Sequence, residues 1–238
     1  MPTPATQPRL GLIHTSATLV PMFEQLCREQ LPHVAVFNLV DDSLIKDVIA
    51  HGRLRPATAR RVVLHVVAAE AAGADTIMVT CSSIGRAVET AALLVDVPVL
   101  RIDRPMAERA VATATRIGVI ATLPTTLDPT ADLIERCAAE AGRRVTITAR
   151  LCDGAFAALM SGDAAGHDER VTRALEELAA QVDVIALAQA SMARVVAALP
   201  PDPARPPILA SPPLAMEWLA TRLLPGRDRA GEAACQTF

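Results

Sequence analysis

Aromatic residues are scarce in this chain of 238 residues, which has no tyrosine, one tryptophan and four phenylalanines. It therefore offers few flat faces on which bases or sugars could stack. A cationic surplus is missing too. With 23 Lys and Arg against 26 Asp and Glu, the formal net charge is −3, and the basic face that a nucleic-acid partner needs is not there. No stretch reaches the roughly 18 uncharged apolar residues of a membrane span. Met1 to Pro8 lacks the basic and apolar regions of a signal peptide. The five cysteines, Cys27, Cys81, Cys137, Cys152 and Cys235, are scattered and odd in number, without a Cys-x-x-Cys pair, so neither a disulfide framework nor a zinc ribbon is expected. The five histidines are equally dispersed, which argues against a metal site. No Gly-rich loop suited to a large phosphate is found. These absences lead us to expect a cytoplasmic protein with no metal, no nucleic acid and no membrane partner.

What the chain does have is half its residues apolar and enough length to bury a substantial core. It also repeats itself. Gly11-Leu12-Ile13-His14-Thr15-Ser16-Ala17-Thr18 is echoed about 107 residues later by Gly118-Val119-Ile120-Ala121-Thr122-Leu123-Pro124-Thr125. Thr76-Ile77-Met78-Val79-Thr80-Cys81-Ser82-Ser83 is echoed by Val184-Ile185-Ala186-Leu187-Ala188-Gln189-Ala190-Ser191, and Pro98-Val99-Leu100 by Pro207-Ile208-Leu209. The spacing from Gly11 to Cys81 is 70 residues, and that from Gly118 to Gln189 is 71.

Short β-branched runs alternate with Ala-rich stretches of helical period, the pattern of a parallel sheet built from βαβ units. Strands are predicted near 9–14, 34–39, 75–80 and 97–101, then near 116–121, 144–149, 183–188 and 207–210. Helices are predicted near 18–30, 42–51, 56–73, 84–94 and 105–114, then near 126–141, 153–161, 168–181, 191–199 and 212–223. Gly73 and Gly142 fall where C-terminal helix caps belong. The Pro-rich run from Pro200 to Pro207 must be a loop. The expected architecture is α/β, with two pseudo-symmetric parallel-sheet halves and the active site in the cleft between them. The first half spans 9–112, the second 113–224, and 225–238 reads as a polar tail. The last helix of one half is placed to pack on the other.

Parallel strands buried on both faces carry their functional residues in the loops at their carboxyl ends. There Cys81 precedes a helix start, whose positive partial charge favours a thiolate. A thiolate at that point could abstract a proton or attack carbon, and a thiol could donate; the competing reading is a structural cysteine. His14 follows the first strand, with an unperturbed pKa near neutrality, and could transfer a proton or activate Cys81. Alternatively it is a hydrogen-bonded structural residue. The hydroxyls and N–H groups around Thr15–Thr18 and Thr122–Thr125 suit a carboxylate, against the reading of ordinary N-caps. Asp41, Asp42 and Ser43, with Cys152 and Asp153, are weaker candidates. Cys27 and Cys137 read as packing residues and Cys235 as incidental.

The duplicated halves, together with Val79-Thr80-Cys81-Ser82-Ser83 and Gly118-Val119-Ile120-Ala121-Thr122-Leu123-Pro124-Thr125, resemble the aspartate/glutamate/hydantoin racemase superfamily over about Arg9 to Leu224. That resemblance implies cofactor-free chemistry on small carboxylates or hydantoins, covering racemases, maleate isomerases and arylmalonate decarboxylases. In the racemases two cysteines face each other across the substrate carbon, one from each half. Cys81 stands at the first position, but Gln189 occupies the second, and glutamine neither gives nor takes a proton at neutral pH. His14 aligns with an acidic residue of glutamate racemases. The resemblance thus implies an isomerase, in the racemase/epimerase or cis–trans sense, acting through Cys81, with His14 or Cys152 as substitute second groups. Thr15, Ser16, Ser82, Ser83, Thr122, Thr125, Gln189 and Ser191 would bind the substrate. A carbon–carbon lyase using Cys81 as sole proton donor, or a silent carboxylate-binding protein, are the alternatives. Homodimers are common among proteins of this kind.

Overall fold

The structure, a computed structural model, describes residues 7–223. The expected tail at 225–238, Cys235 and most of the Met1–Pro8 segment lie outside the described residues. Two four-stranded parallel sheets follow each other along the chain. The first contains β1 (Arg9–His14), β2 (Ala35–Val40), β3 (Thr76–Val79) and β4 (Val99–Arg101), in the order β2-β1-β3-β4. The second contains β5 (Arg116–Ala121), β6 (Thr146–Leu151), β7 (Val184–Leu187) and β8 (Ile208–Ala210), in the order β6-β5-β7-β8. The helices are α1 (Val20–Gln30), α2 (Asp42–His51), α3 (Pro56–Ala71), α4 (Gly85–Ala92) and α5 (Arg104–Thr113). They continue as α6 (Pro124–Glu140), α7 (Ala155–Met160), α8 (Ala164–Ala179), α9 (Ala193–Ala198) and α10 (Ser211–Leu223).

The repeat read in the sequence is a repeat of register. Gly11 pairs with Phe37 and Ile77, and Gly118 with Thr148 and Ile185, so each glycine sits mid-strand in the second strand of its sheet. Both are glycine because the side chains packed against them leave no room for a Cβ. A Cβ on Gly11 would lie 3.0 Å from Phe37 Cζ and 3.3 Å from Ala74 Cβ; one on Gly118 would lie 2.5 Å from Leu178 Cδ2. Past the helices, Gly73 and Gly142 take φ of 86° and 62°, the left-handed turn that ends α3 and α6 without a Cβ clash.

In each sheet the chain leaves the second position for the edge, then crosses back to the other side. The carboxyl ends of β1 and β3, and likewise of β5 and β7, therefore part at a topological switch point where a crevice opens. Helices are exchanged across the two sheets. Met106, Ala107, Ala110 and Val111 of α5 pack into the cluster of Ile117, Val119 and Leu133. In return Ala215, Met216 and Leu219 of α10 cover Leu10, Leu12 and Phe23 beneath the first sheet. Each large aliphatic chain so buried contributes roughly 1.5–3 kcal/mol, so the exchange ties the two sheets into one cooperative body. No helix among the described residues is long and apolar enough to cross a membrane.

Candidate active site

Cys81 stands immediately after β3 in extended backbone (φ −134°, ψ 117°), before a single 3₁₀ turn, Ser82–Ile84, that runs into α4. The turn aims backbone N–H groups back at the sulfur. Part of the residue is open to solvent, yet the thiol itself is packed deeply enough that desolvation raises its pKa. Working against that burial, the Thr15 side chain, the N–H groups of Ser83 and Ile84 and the Ser83 side chain all hydrogen-bond the sulfur and favour its thiolate. The structure thus gathers Thr15, Cys81 and Ser83 at the switch point of the first sheet. Ser82 is buried beside them.

Gln189 holds the matching place after β7, with φ −135° and ψ 137°, again one residue before a 3₁₀ turn, Ala190–Met192. Its Oε1 accepts from the Thr122 backbone N–H at 2.5 Å and from Thr122 Oγ1 at 2.8 Å. A backbone N–H can only donate, so the amide oxygen is fixed and the NH₂ is the group left to act. Gln189 is therefore an oriented donor. Ser191 is half-buried in that 3₁₀ turn. Thr125 Oγ1, in the first turn of α6, is buried with no partner. Ser16 is spent locally, 2.8 Å from Thr18 Oγ1.

His14 is fully buried, and its ring is occupied at both nitrogens. Nδ1 lies 2.8 Å from Thr80 Oγ1 and Nε2 3.0 Å from Asn38 Oδ1. Asn38 Nδ2 donates to Glu24, which turns the Asn38 oxygen toward the ring and places the imidazole hydrogen on Nε2. Nδ1 then faces the Thr80 hydroxyl as an acceptor, sharing its proton with the Ile13 carbonyl 3.2 Å away. Desolvation lowers the histidine's pKa, with Asn38 and Glu24 opposing, and the Phe23 ring lies alongside at 5.6 Å. The side chain of this loop that bonds the Cys81 sulfur is Thr15; His14 is tied to the residue before Cys81. Asn38 and Glu24 carry no sequence signal, because nothing in an edge strand and a helix separated by 14 residues shows that they meet.

The two halves touch beside the cysteine. Ser83 Oγ lies 3.0 Å from Thr126 Oγ1 of α6, both buried. Behind them Arg101 and Asp103, almost wholly buried, form a bidentate pair at 3.0 and 2.8 Å. Glu89 joins Arg101 to Arg136 of α6, and Arg86 pairs with Asp132 at 2.6 Å. Gly85 makes room for this, since a Cβ there would fall 2.2 Å from Arg101 Cζ. Arg101 had no sequence signal: an Arg-Ile-Asp run reads as a solvated loop until burial is known.

The other three cysteines among the described residues are packing residues by their surroundings. Burial pushes Cys27, Cys137 and Cys152 up to about 11, so each stays a neutral thiol at pH 7. Among the described residues no group of three or more His, Cys, Asp or Glu is arranged to hold a metal ion.

The family model for Asp/Glu/Hydantoin racemase matches residues 10–217. The chain belongs to that family. Among solved structures it is similar to the RacE1 isoform of glutamate racemase from Bacillus anthracis, with a TM-score of 0.70, 18% identity, and coverage of 91% of this chain and 82% of that one. Aspartate racemase from Picrophilus torridus gives a TM-score of 0.64 at 14% identity, covering 91% and 92%. Arylmalonate decarboxylase gives 0.53 at 19% identity, covering 93% and 94%. No curated protein matches the sequence. At such identities the solved structures establish the shared fold. Membership makes Cys81 and Gln189 the informative pair, because equivalent backbone positions in the two halves carry unlike side chains.

Proposed function

We propose that this racemase-family protein is a cofactor-independent isomerase of a small carboxylate, racemising, epimerising or interconverting cis and trans forms through Cys81. The observation that carries the reading is the Cys81 sulfur at a switch point, ringed by the Thr15 and Ser83 side chains and the N–H groups of Ser83 and Ile84. Those donors lower the cost of a thiolate that burial otherwise opposes. The thiolate then takes a proton from the carbon beside a carboxylate. As the single acid–base group, the thiol so formed returns it to the opposite face once the planar enolate has turned over in the pocket. With an unsaturated diacid the thiolate instead adds to the double bond and leaves again after rotation. Gln189 NH₂ donates to a substrate oxygen on which negative charge develops. Ser82, Thr125 and Ser191 complete the carboxylate-binding shell between the halves 9–112 and 113–224, while Ser16 and Thr122 support it through their bonds to Thr18 and Gln189. His14 holds the Thr80–Cys81 strand end in place. A small carboxylate is the partner this chemistry requires.

Gln189 also favours a second reading. With one thiol and no opposing acid, Cys81 could protonate a carbanion left by departing carbon dioxide, a lyase reaction that needs one donor. Incubation in deuterated water with aspartate, glutamate, allantoin, maleate and an arylmalonate separates the two. Deuterium entering unreacted substrate, or maleate becoming fumarate, supports the isomerase. Carbon dioxide released from the malonate alone supports the lyase. Binding without turnover of any of them would leave a silent carboxylate-binding protein and overturn the proposal.

A further inference from the structure

The two halves differ at a second pair of equivalent positions, away from Cys81. Asp41 follows β2, and its N–H donates to the carbonyl of His14 at the end of β1. Cys152 follows β6, and its N–H donates to the carbonyl of Ala121 at the end of β5. Helices α3 and α8 correspond as well: Val62, Val66 and Ala69 are buried in one as Val171, Leu175 and Leu178 are in the other. By that alignment Arg61 answers to Arg170, and His65 to Ala174.

In the first half this place is filled from within. The Asp41 carboxylate accepts from the Ser43 N–H at 3.1 Å, from Ser43 Oγ at 2.6 Å, from His65 Nε2 at 2.7 Å and from Arg61. In the second half the carboxylate is replaced by a thiol and the imidazole by a methyl group. A cavity of about 190 Å³ opens there, bordered by Cys152, Ala174, Arg150, Arg170 and Arg173. Arg150 Nε is buried with no partner. Its Nη2 meets Glu177 only across 3.7 Å. Arg170 spends Nη1 on the Gly166 carbonyl at 2.7 Å. Asp153 and Glu177 also border the cavity, so three cations face two carboxylates, and Cys152 adds no charge because it stays protonated.

We infer that this cavity binds a small oxyanion, a carboxylate or a phosphate, between Arg150, Arg170 and Arg173, in the place where the first half holds its own Asp41 side chain. Guanidinium groups bond such oxyanions through paired N–H groups, which suits both ligand classes. The site is separate from Cys81 and does not depend on the proposed reaction.

Calorimetric titration of the full chain with inorganic phosphate and, separately, with succinate, at constant ionic strength, tests the inference. One of the two should bind, and which one identifies the class. Arg173→Ala, a change at an exposed position, should weaken that binding by about tenfold or more, the loss expected for one charge-assisted hydrogen bond. Cys152→Asp should abolish it, because the new carboxylate would occupy the site as Asp41 does in the first half. Circular dichroism confirms that each variant is folded; should Cys152→Asp fail to fold, Arg173→Ala decides. Binding of neither anion overturns the inference. So does binding that survives either substitution in a folded variant, as it would for an anion seated at Cys81.

Discussion

Thr122 presents its backbone N–H and its hydroxyl to a single atom, Gln189 Oε1, at 2.5 and 2.8 Å. Two donors on one oxygen leave the amide no freedom to flip, so Gln189 can serve a ligand only through NH₂. Gln189→Glu would keep the Thr122 bonds and put a charged oxygen where the NH₂ stands. For a carboxylate substrate, KM should rise by roughly tenfold or more, the loss of one hydrogen bond to a charged group plus like-charge repulsion. Steady-state kinetics with the fold verified by circular dichroism checks this, and an unchanged KM would remove Gln189 from the binding shell.

The pH profile distinguishes the two roles open to Cys81. Desolvation lifts its pKa above the ordinary 9.0 despite the surrounding donors. If the thiolate reacts, only a small fraction is active at neutral pH. Log kcat/KM should then climb with a slope of about one per pH unit through pH 7–9. If the thiol is the proton donor, the profile should be flat there and fall only at higher pH. We expect the rising limb.

His14 should make the protein sensitive to mild acid. Burial holds its folded pKa below the ordinary 6.5, so between those two values the unfolded chain binds a proton that the folded chain does not. The stability its neutral form provides is complete above about 6.5 and is lost as pH falls through the folded pKa. Asp41 acts in a lower window. Although its own desolvation raises it, hydrogen bonds from Ser43, His65 and Arg61 bring it down to about 2, so its contribution fades only below the ordinary 3.8. Urea titrations at a series of pH values should therefore show two separate losses. His14→Asn should flatten the upper one and leave the lower unchanged.

The paired glycines should respond unequally to a methyl group. At Gly118 the added Cβ meets Leu178 at 2.5 and 2.9 Å in a fully buried cluster, whereas at Gly11 the nearest atom is Phe37 Cζ at 3.0 Å. Gly118→Ala should cost about 1–3 kcal/mol from overpacking and Gly11→Ala less. Chemical denaturation of the two variants gives the comparison.

Much of this architecture could be read from the chain alone, because strands buried on both faces leave strong apolar runs. β1 and β5 lie where expected, and so does α2. The differences fall where the apolar pattern is weak or where a local cap sets the boundary. β6 runs from Thr146 to Leu151, two residues later than expected, since as a part-exposed edge strand it lacks a continuous apolar run and takes its register from pairing with β5. α8 begins at Ala164, four residues before the periodic stretch, because Asp163 caps it, accepting from the Gly166 N–H at 2.8 Å. α6 likewise starts at Pro124, whose fixed φ suits a first helical position.

The site was legible as a set of strand ends, since Cys81, Thr15, Thr122 and Gln189 follow strands whose positions the repeat determines. Its internal bonding was not. Whether His14 faces the crevice or the core depends on Phe23, Asn38 and Glu24, side chains that meet only after folding. The fixed direction of the Gln189 amide depends in the same way on a backbone N–H 67 residues away.

The central claim is that the Cys81 sulfur is the reacting group, and turnover by Cys81→Ala tests it most directly. On whichever carboxylate the parent protein converts, the folded variant should lose roughly 10²–10⁴-fold in kcat, the scale of a proton-transfer group, or more if the sulfur bonds to carbon. Equal kcat in the variant and the parent would contradict the account.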